Sequence, residues 1–205
     1  MNRARETQAL RPPAFEYYGA TSGARDSELF CEAVALEGLA ARHGTPLYVY
    51  SAAMIRARLN AFARAFHSIP HTLCYSVKAN STLAILQLAA GEGAGFDVVS
   101  GGELQRVLRL GRKNASKVVF SGVGKTAAEM ELALRSGILL FNIESASELN
   151  LLSATATRLK KRAAVAVRVN PDVSAKTHPY ISTGLHQHKF GVPIPEARRL
   201  YAEAA

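Results

Sequence analysis

From residue 72 onward, short runs rich in β-branched and aromatic residues alternate with longer segments in which apolar residues recur at helical spacing. The runs are 72–77, 95–99, 117–121, 138–143 and 163–169, and their starts lie 23, 22, 21 and 25 residues apart. The segments between them carry helix end signals. Ser81 is placed to cap a helix that stops at Gly91. Ser100 and Glu103 form an S-x-x-E capping box whose helix stops at Gly111. Thr126 with Glu129, ending at Gly137, and Ser145 with Glu148 repeat that pattern. In the last of these helices Leu149, Leu152, Ala156 and Leu159 fall on one stripe. Strand, short loop and capped helix, repeated about five times, predict βα units in a parallel sheet.

The period alone does not separate a closed barrel from an open, doubly wound sheet; the sizes of alternate side chains do. Val165, Val167 and Val169 alternate with Ala164, Ala166 and Arg168, and Leu73, Tyr75 and Val77 alternate with Thr72, Cys74, Ser76 and Lys78. One bulky face to pack on helices and one small or polar face suit a narrow interior with a polar rim. The expected fold class is therefore α/β, a partial TIM (β/α)8 barrel. A complete one takes eight units and typically ~250 residues.

Before residue 72 the organisation differs. Residues 1–45 hold Pro12-Pro13, a loop-like Gly19-Ala20-Thr21-Ser22-Gly23, and short strand candidates at 15–18 and 29–31. Residues 46–50 read as a strand, and Ser51 opens a helix with Ile55, Leu59, Phe62 and Phe66 on one face. The expected division is an N-terminal segment, 1–45, and an incomplete α/β barrel, 46–205.

Composition narrows the class. With 48% hydrophobic and 20% charged residues in 205, the chain is neither fibrous nor broadly disordered. Cys31 and Cys74 are the only cysteines, which excludes a disulfide scaffold and a cysteine-rich zinc module. No apolar run approaches the ~20 residues that span a bilayer. The charged start, Met1 to Arg11, lacks the apolar core of a secretory signal, so a cytoplasmic location without membrane association is expected. The net charge of +9 is uneven: residues 1–50 carry a balance of −1 and residues 51–205 one of +10. The one dense run, Arg158-Leu159-Lys160-Lys161-Arg162, closes a helix, where cations complement the dipole, so no nucleic-acid partner is expected.

In a (β/α)8 protein reactive groups sit at the C-terminal ends of strands. Those ends hold Lys78, Asp97 with Ser100, Ser121-Gly122, Asn142 with Glu144, and Arg168 with Asn170 and Asp172. A lysine directed into a barrel mouth loses solvation, which favours its neutral amine and suits it to a Schiff base. Asp97 and Arg168 fit either a site or a structural ion pair, and the capping box alone accounts for Glu103. Two familiar motifs fail. Ser121-Gly122-Val123-Gly124-Lys125-Thr126 ends like a phosphate-binding loop, but Val119 stands where the first glycine is required. Gly91-Glu92-Gly93-Ala94-Gly95 follows a helix, the reverse of a dinucleotide fingerprint. His178, His186 and His188 have no ligand spacing, and no metal is expected.

The hexapeptide Tyr75-Ser76-Val77-Lys78-Ala79-Asn80 resembles that of the fold-type III pyridoxal-phosphate enzymes, specifically the diaminopimelate decarboxylases. The resemblance runs from Leu47-Tyr48-Val49-Tyr50 onward. It includes the segment from Gly95-Phe96-Asp97 to Glu103-Leu104, Phe120-Ser121-Gly122-Val123-Gly124-Lys125-Thr126, and Phe141-Asn142-Ile143-Glu144-Ser145. It is most specific from Arg168-Val169-Asn170-Pro171-Asp172 through Thr177-His178-Pro179-Tyr180-Ile181-Ser182-Thr183-Gly184 to Lys189-Phe190-Gly191. The resemblance implies a barrel that carries the cofactor, N-terminal strands that join a β-domain, and a homodimer. It implies pyridoxal 5'-phosphate held by Lys78 as a Schiff base, with Asp97 and Arg168 beside it and Ser100 and Glu103 on the same pocket wall. The reaction implied is decarboxylation of a small amino-acid substrate, meso-2,6-diaminopimelate, to L-lysine. The chain would be the N-terminal fragment of such an enzyme, ending in a helix that opens at Pro195. Decarboxylation of arginine, ornithine or carboxynorspermidine on the same fold, and a truncated non-catalytic paralogue that acts as an interaction protein, are the alternatives.

Overall fold

The computed structural model describes residues 14–18, 28–170 and 190–205. Contacts divide the chain into two compact units, Met1–Ile69 and Pro70–Ala205. In the first, β1 (Phe15–Tyr18), β2 (Glu28–Cys31) and β3 (Val34–Ala35) form an antiparallel sheet in chain order, followed by α1 (Leu36–His43) and α2 (Ala52–Ala65). Both short strand candidates are therefore present. The strand expected at 46–50 is not: extended residues become a strand only beside a hydrogen-bonding neighbour, and no described strand pairs with them. Ser51 does cap α2, accepting from the Met54 amide at 3.0 Å, and it shares that end with Glu32. The Glu32 carboxylate accepts from Ser51 Oγ at 2.6 Å and from the Ala53 amide at 2.9 Å. These three donors sit at a helix N-terminus, where a negative charge is favoured.

In the second unit, β4 (Cys74–Ser76), β5 (Gly95–Val98), β6 (Val118–Phe120), β7 (Leu140–Ile143) and β8 (Val165–Val167) form one parallel sheet in sequence order. Doubly wound sheets reverse their strand order at a switch point; this one does not, so it is an arc of barrel wall. Between the strands lie α3 (Leu83–Gly91), α4 (Gly101–Arg109), α5 (Ala127–Ser136) and α6 (Ala146–Arg158), and α7 (Ile194–Ala204) follows. One face of the three central strands, β5 to β7, is bulky and buried. Phe96, Val98, Val118, Phe120, Phe141 and Ile143 lie there, with Leu86, Leu104, Val107, Met130 and Leu152 supplied by the helices. Phe120 and Phe141 are direct partners across β6 and β7, their rings stacked with centroids 6.0 Å apart.

The end signals act as expected, with shifts of one residue. Thr126 and Glu129 form a complete capping box, and Gly137 ends α5 in the left-handed region at φ 70°. Ser100 and Ser145 accept from the amides of Glu103 and Glu148. Those two glutamates, however, reach one residue further back, to the amides of Val99 (2.8 Å) and Glu144 (3.2 Å). Ser81 is not a cap. Thr82 holds that position without a side-chain bond, and its own amide donates to Asn80 Oδ1 at 2.9 Å. The last strand expected as one run, 163–169, is broken at Arg168. Its N–H stays with β7, on Ile143 O at 2.9 Å, while its C=O accepts from Val192. From there β9 (Val169–Asn170) pairs with β10 (Val192–Pro193).

Candidate functional site

The strand faces opposite the buried one carry a continuous polar ribbon. Ser76 on β4 is the register partner of Asp97 on β5 and donates to its Oδ2 at 3.2 Å. Ser121, just beyond β6, donates to Asp97 Oδ1 and accepts from Asn142 Nδ2 on β7 at 2.8 Å. Ser76 and Ser121 thus both donate to the Asp97 carboxylate, and Asn142 in turn donates to Ser121. Small residues on alternate positions let these side chains meet across strands about 4.8 Å apart. Cys74, on the same face of β4, has its thiol pushed up by burial and by the Asp97 charge, which keeps it protonated rather than nucleophilic at neutral pH.

The ribbon continues at β7 and β8. Arg168 Nη1 donates to both oxygens of Glu144, at 3.0 and 3.2 Å. The Glu144 side chain is 2% exposed and the Arg168 side chain 47%, so the carboxylate is fixed in the protein while part of the guanidinium faces outward. On its other side Arg168 meets the Phe190 ring, 5.3 Å to the centroid. Gly191 brings that ring in: its φ is +93°, and a Cβ there would lie 2.6 Å from Arg168 O.

Lys78 stands at the opposite end of the ribbon. The chain leaves β4 after Ser76 and enters a 3₁₀ turn, Val77–Ala79, anchored by the fully buried Val77. The strand alternation therefore ends before Lys78, which is exposed rather than desolvated inside a barrel mouth. Its ammonium makes no hydrogen bond or ion pair among the described residues. Ser100 and Glu103 do not join the ribbon, since Ser100 Oγ and the Glu103 carboxylate are taken up in capping α4. Ser76, Ser121, Asn142 and Glu144 do join it. Alternation along the strands is the signal that finds them, because each falls on the parity opposite the bulky buried residues. Pro171 to Lys189, with the Thr177–Gly184 stretch and its neighbouring histidines, lies outside the described residues.

An exposed amine, a shared carboxylate and a held guanidinium lie along the C-terminal ends of a parallel arc, where α/β-barrel proteins carry their reactive groups. Residues 52–205 match the pyridoxal-dependent decarboxylase family, over its pyridoxal-binding domain, and the chain belongs to that family. It is 56% identical over 181 residues to the diaminopimelate decarboxylase of Pseudomonas aeruginosa, covering 88% of this chain and 43% of that protein. Among solved structures it resembles diaminopimelate decarboxylase from M. jannaschii in co-complex with L-lysine, with TM-score 0.82 and 37% identity over 94% of this chain and 44% of that one. The enzyme from Helicobacter pylori complexed with L-lysine gives TM-score 0.77 and 44% identity over 82% of this chain and 43% of that one. The chain spans less than half the length of the relatives it matches.

The family's cofactor is pyridoxal 5'-phosphate, and the donor set fits part of it. A primary amine without a hydrogen bond or ion pair among the described residues suits an aldehyde carbon, and a guanidinium suits an anionic oxygen. Across 14–18, 28–170 and 190–205 no helix is long and apolar enough to cross a membrane.

Proposed function

We propose that this chain is the pyridoxal-binding part of a decarboxylase that converts meso-2,6-diaminopimelate to L-lysine and carbon dioxide. The observation that carries the reading is the ribbon from Ser76 to Arg168, with a free amine at Lys78, at the strand ends of a pyridoxal-binding domain. When bound, the cofactor supplies an electron-poor ring that takes up the electron pair left when carbon dioxide departs. Lys78 would hold the cofactor at its aldehyde carbon, and its exposure leaves the amine accessible to that aldehyde. Asp97, held by Ser76 and Ser121, is the carboxylate that would stand beside the bound cofactor. Arg168 directs its outer N–H groups at the cofactor, while Glu144 keeps the guanidinium from swinging into solvent. Substrate choice rests on the likeness to diaminopimelate decarboxylases and on the Thr177–Gly184 stretch. The same reading includes a homodimer, a cytoplasmic location, no nucleic-acid partner, and 1–45 joining a β-domain.

Borohydride reduction of the chain incubated with millimolar pyridoxal phosphate, followed by peptide mapping, tests the cofactor assignment. The label is expected on the peptide holding Lys78 and is lost in Lys78→Ala; a label on Lys125 or Lys176 instead refutes it. For the substrate, carbon dioxide release is compared among diaminopimelate, ornithine and arginine, using the chain extended to its relatives' length. Preference for ornithine or arginine refutes the assignment.

A further inference from the structure

Lys125 is a buried lysine to which the reading above gives no task. Its side chain is 1% exposed, and its Nζ lies 5.7 Å from the centroid of the Phe120 ring. The ammonium donates to Gly122 O at 2.6 Å, to Asn142 O at 2.8 Å, and to the Glu148 carboxylate. Every one of those acceptors is tied to the site. The Gly122 N–H donates to Glu144 Oε1 at 3.2 Å, the other Glu148 oxygen accepts the Glu144 N–H at 3.2 Å, and Asn142 donates to Ser121. Taking an ammonium out of water is costly, and an apolar side chain of similar volume commonly serves stability as well as a buried ion pair does. Stability alone therefore does not account for a charge at this position, whereas its directional bonds do.

We propose that Lys125 is a positioning residue: through Gly122 and Glu148 it fixes both the backbone and the carboxylate of Glu144, and through Glu144 the direction of the Arg168 guanidinium. The geometry stands by itself; its consequence for cofactor binding rests on the function proposed above. Lys125 touches neither cofactor nor substrate in this scheme.

The test reads Arg168 directly. Phenylglyoxal modifies accessible guanidinium groups, and peptide mapping gives the rate at each arginine. In Lys125→Met the rate at Arg168 is expected to rise severalfold while Arg106, Arg109 and Arg112 stay unchanged. Lys125→Arg, which keeps the charge, is expected to recover part of the protection. An unchanged rate at Arg168 overturns the proposal. Should Lys125→Met unfold, with all arginines modified alike, Glu148→Gln takes its place, because it removes one arm of the relay and leaves the two carbonyl bonds of Lys125. A selective rise at Arg168 then supports the proposal and none overturns it. In parallel, pyridoxal phosphate affinity is expected to fall about tenfold in Lys125→Met, as for other residues that orient a ligand-binding group. Met130→Ala, an equally buried change on α5, is expected to leave the affinity alone. A selective rise at Arg168 without any change in affinity upholds the positioning role and counts against the cofactor reading instead.

Discussion

Asp97 and Ser76 are direct partners across two parallel strands, and the serine hydroxyl donates to the aspartate at 3.2 Å. The other Asp97 oxygen takes Ser121, so one carboxylate ties three strands together at the rim where the cofactor is proposed to bind. Asp97→Ala removes the acceptor for both hydroxyls. It is expected to cost about 1–3 kcal/mol, the range for half-buried donors left unpaired, whereas Ser76→Ala costs about 1 kcal/mol or less. Chemical denaturation of the two variants checks the order, and equal losses would contradict a shared acceptor.

The helix caps give a second expectation. Ser100→Ala and Ser145→Ala each remove an oxygen that accepts the amide three residues on, and each is expected to cost about 1 kcal/mol. Ser81→Ala removes no cap and is expected to stay within about 0.5 kcal/mol of the parent. Thermal melting under one buffer separates the three.

Glu129 makes stability depend on pH. The Gly101 amide first, then the Thr126 amide, hold its carboxyl below the usual glutamate range. A carboxyl lowered on folding contributes stability above its unfolded value and loses it as pH falls through the folded one. The stability gap between the parent and Glu129→Gln is therefore expected to be full at neutral pH and to close as the solution is acidified below the ordinary glutamate range. Urea titrations at stepped pH measure it; a gap that widens on acidification would be the wrong sign.

Gly95 is required for space. A Cβ there would stand 2.3 Å from Lys117 O and 3.0 Å from Cys74 Sγ, between β4 and β6. Backbone cannot rotate out of the way as a side-chain tip can. Gly95→Ala is expected to cost about 2–3 kcal/mol or more, read as a lower denaturation midpoint. A neutral effect would mean that the strands separate more easily than this packing allows.

Much of the sheet was legible because period and alternation are set locally. Phe96, Phe120 and Phe141 are bulky, each is followed by a polar residue, and all three are buried as that pattern requires. The polar groups at strand ends were legible for the same reason. What the sequence could not disclose was where each polar group spends its bonds. Glu103 has a capping box within reach, yet its carboxylate goes to Val99, and the helix expected to be capped by Ser81 starts one residue later, after Thr82. Lys78 falls beyond the point where alternation holds, since a 3₁₀ turn resets the direction of its side chain. The break at Arg168 depends on a partner strand more than twenty residues downstream, which no local window contains.

The strands of the parallel sheet pair in the order in which the ribosome makes them. Each new strand closes a loop of about one βα unit, and because closure entropy rises only slowly with loop length, each such step costs nearly the same. No strand has to be inserted between two that are already joined, so no ladder must open for the next to form. The wall from β4 to β8 can therefore be laid down during synthesis, with the Lys78 turn in place first and Arg168, at the growing edge, last.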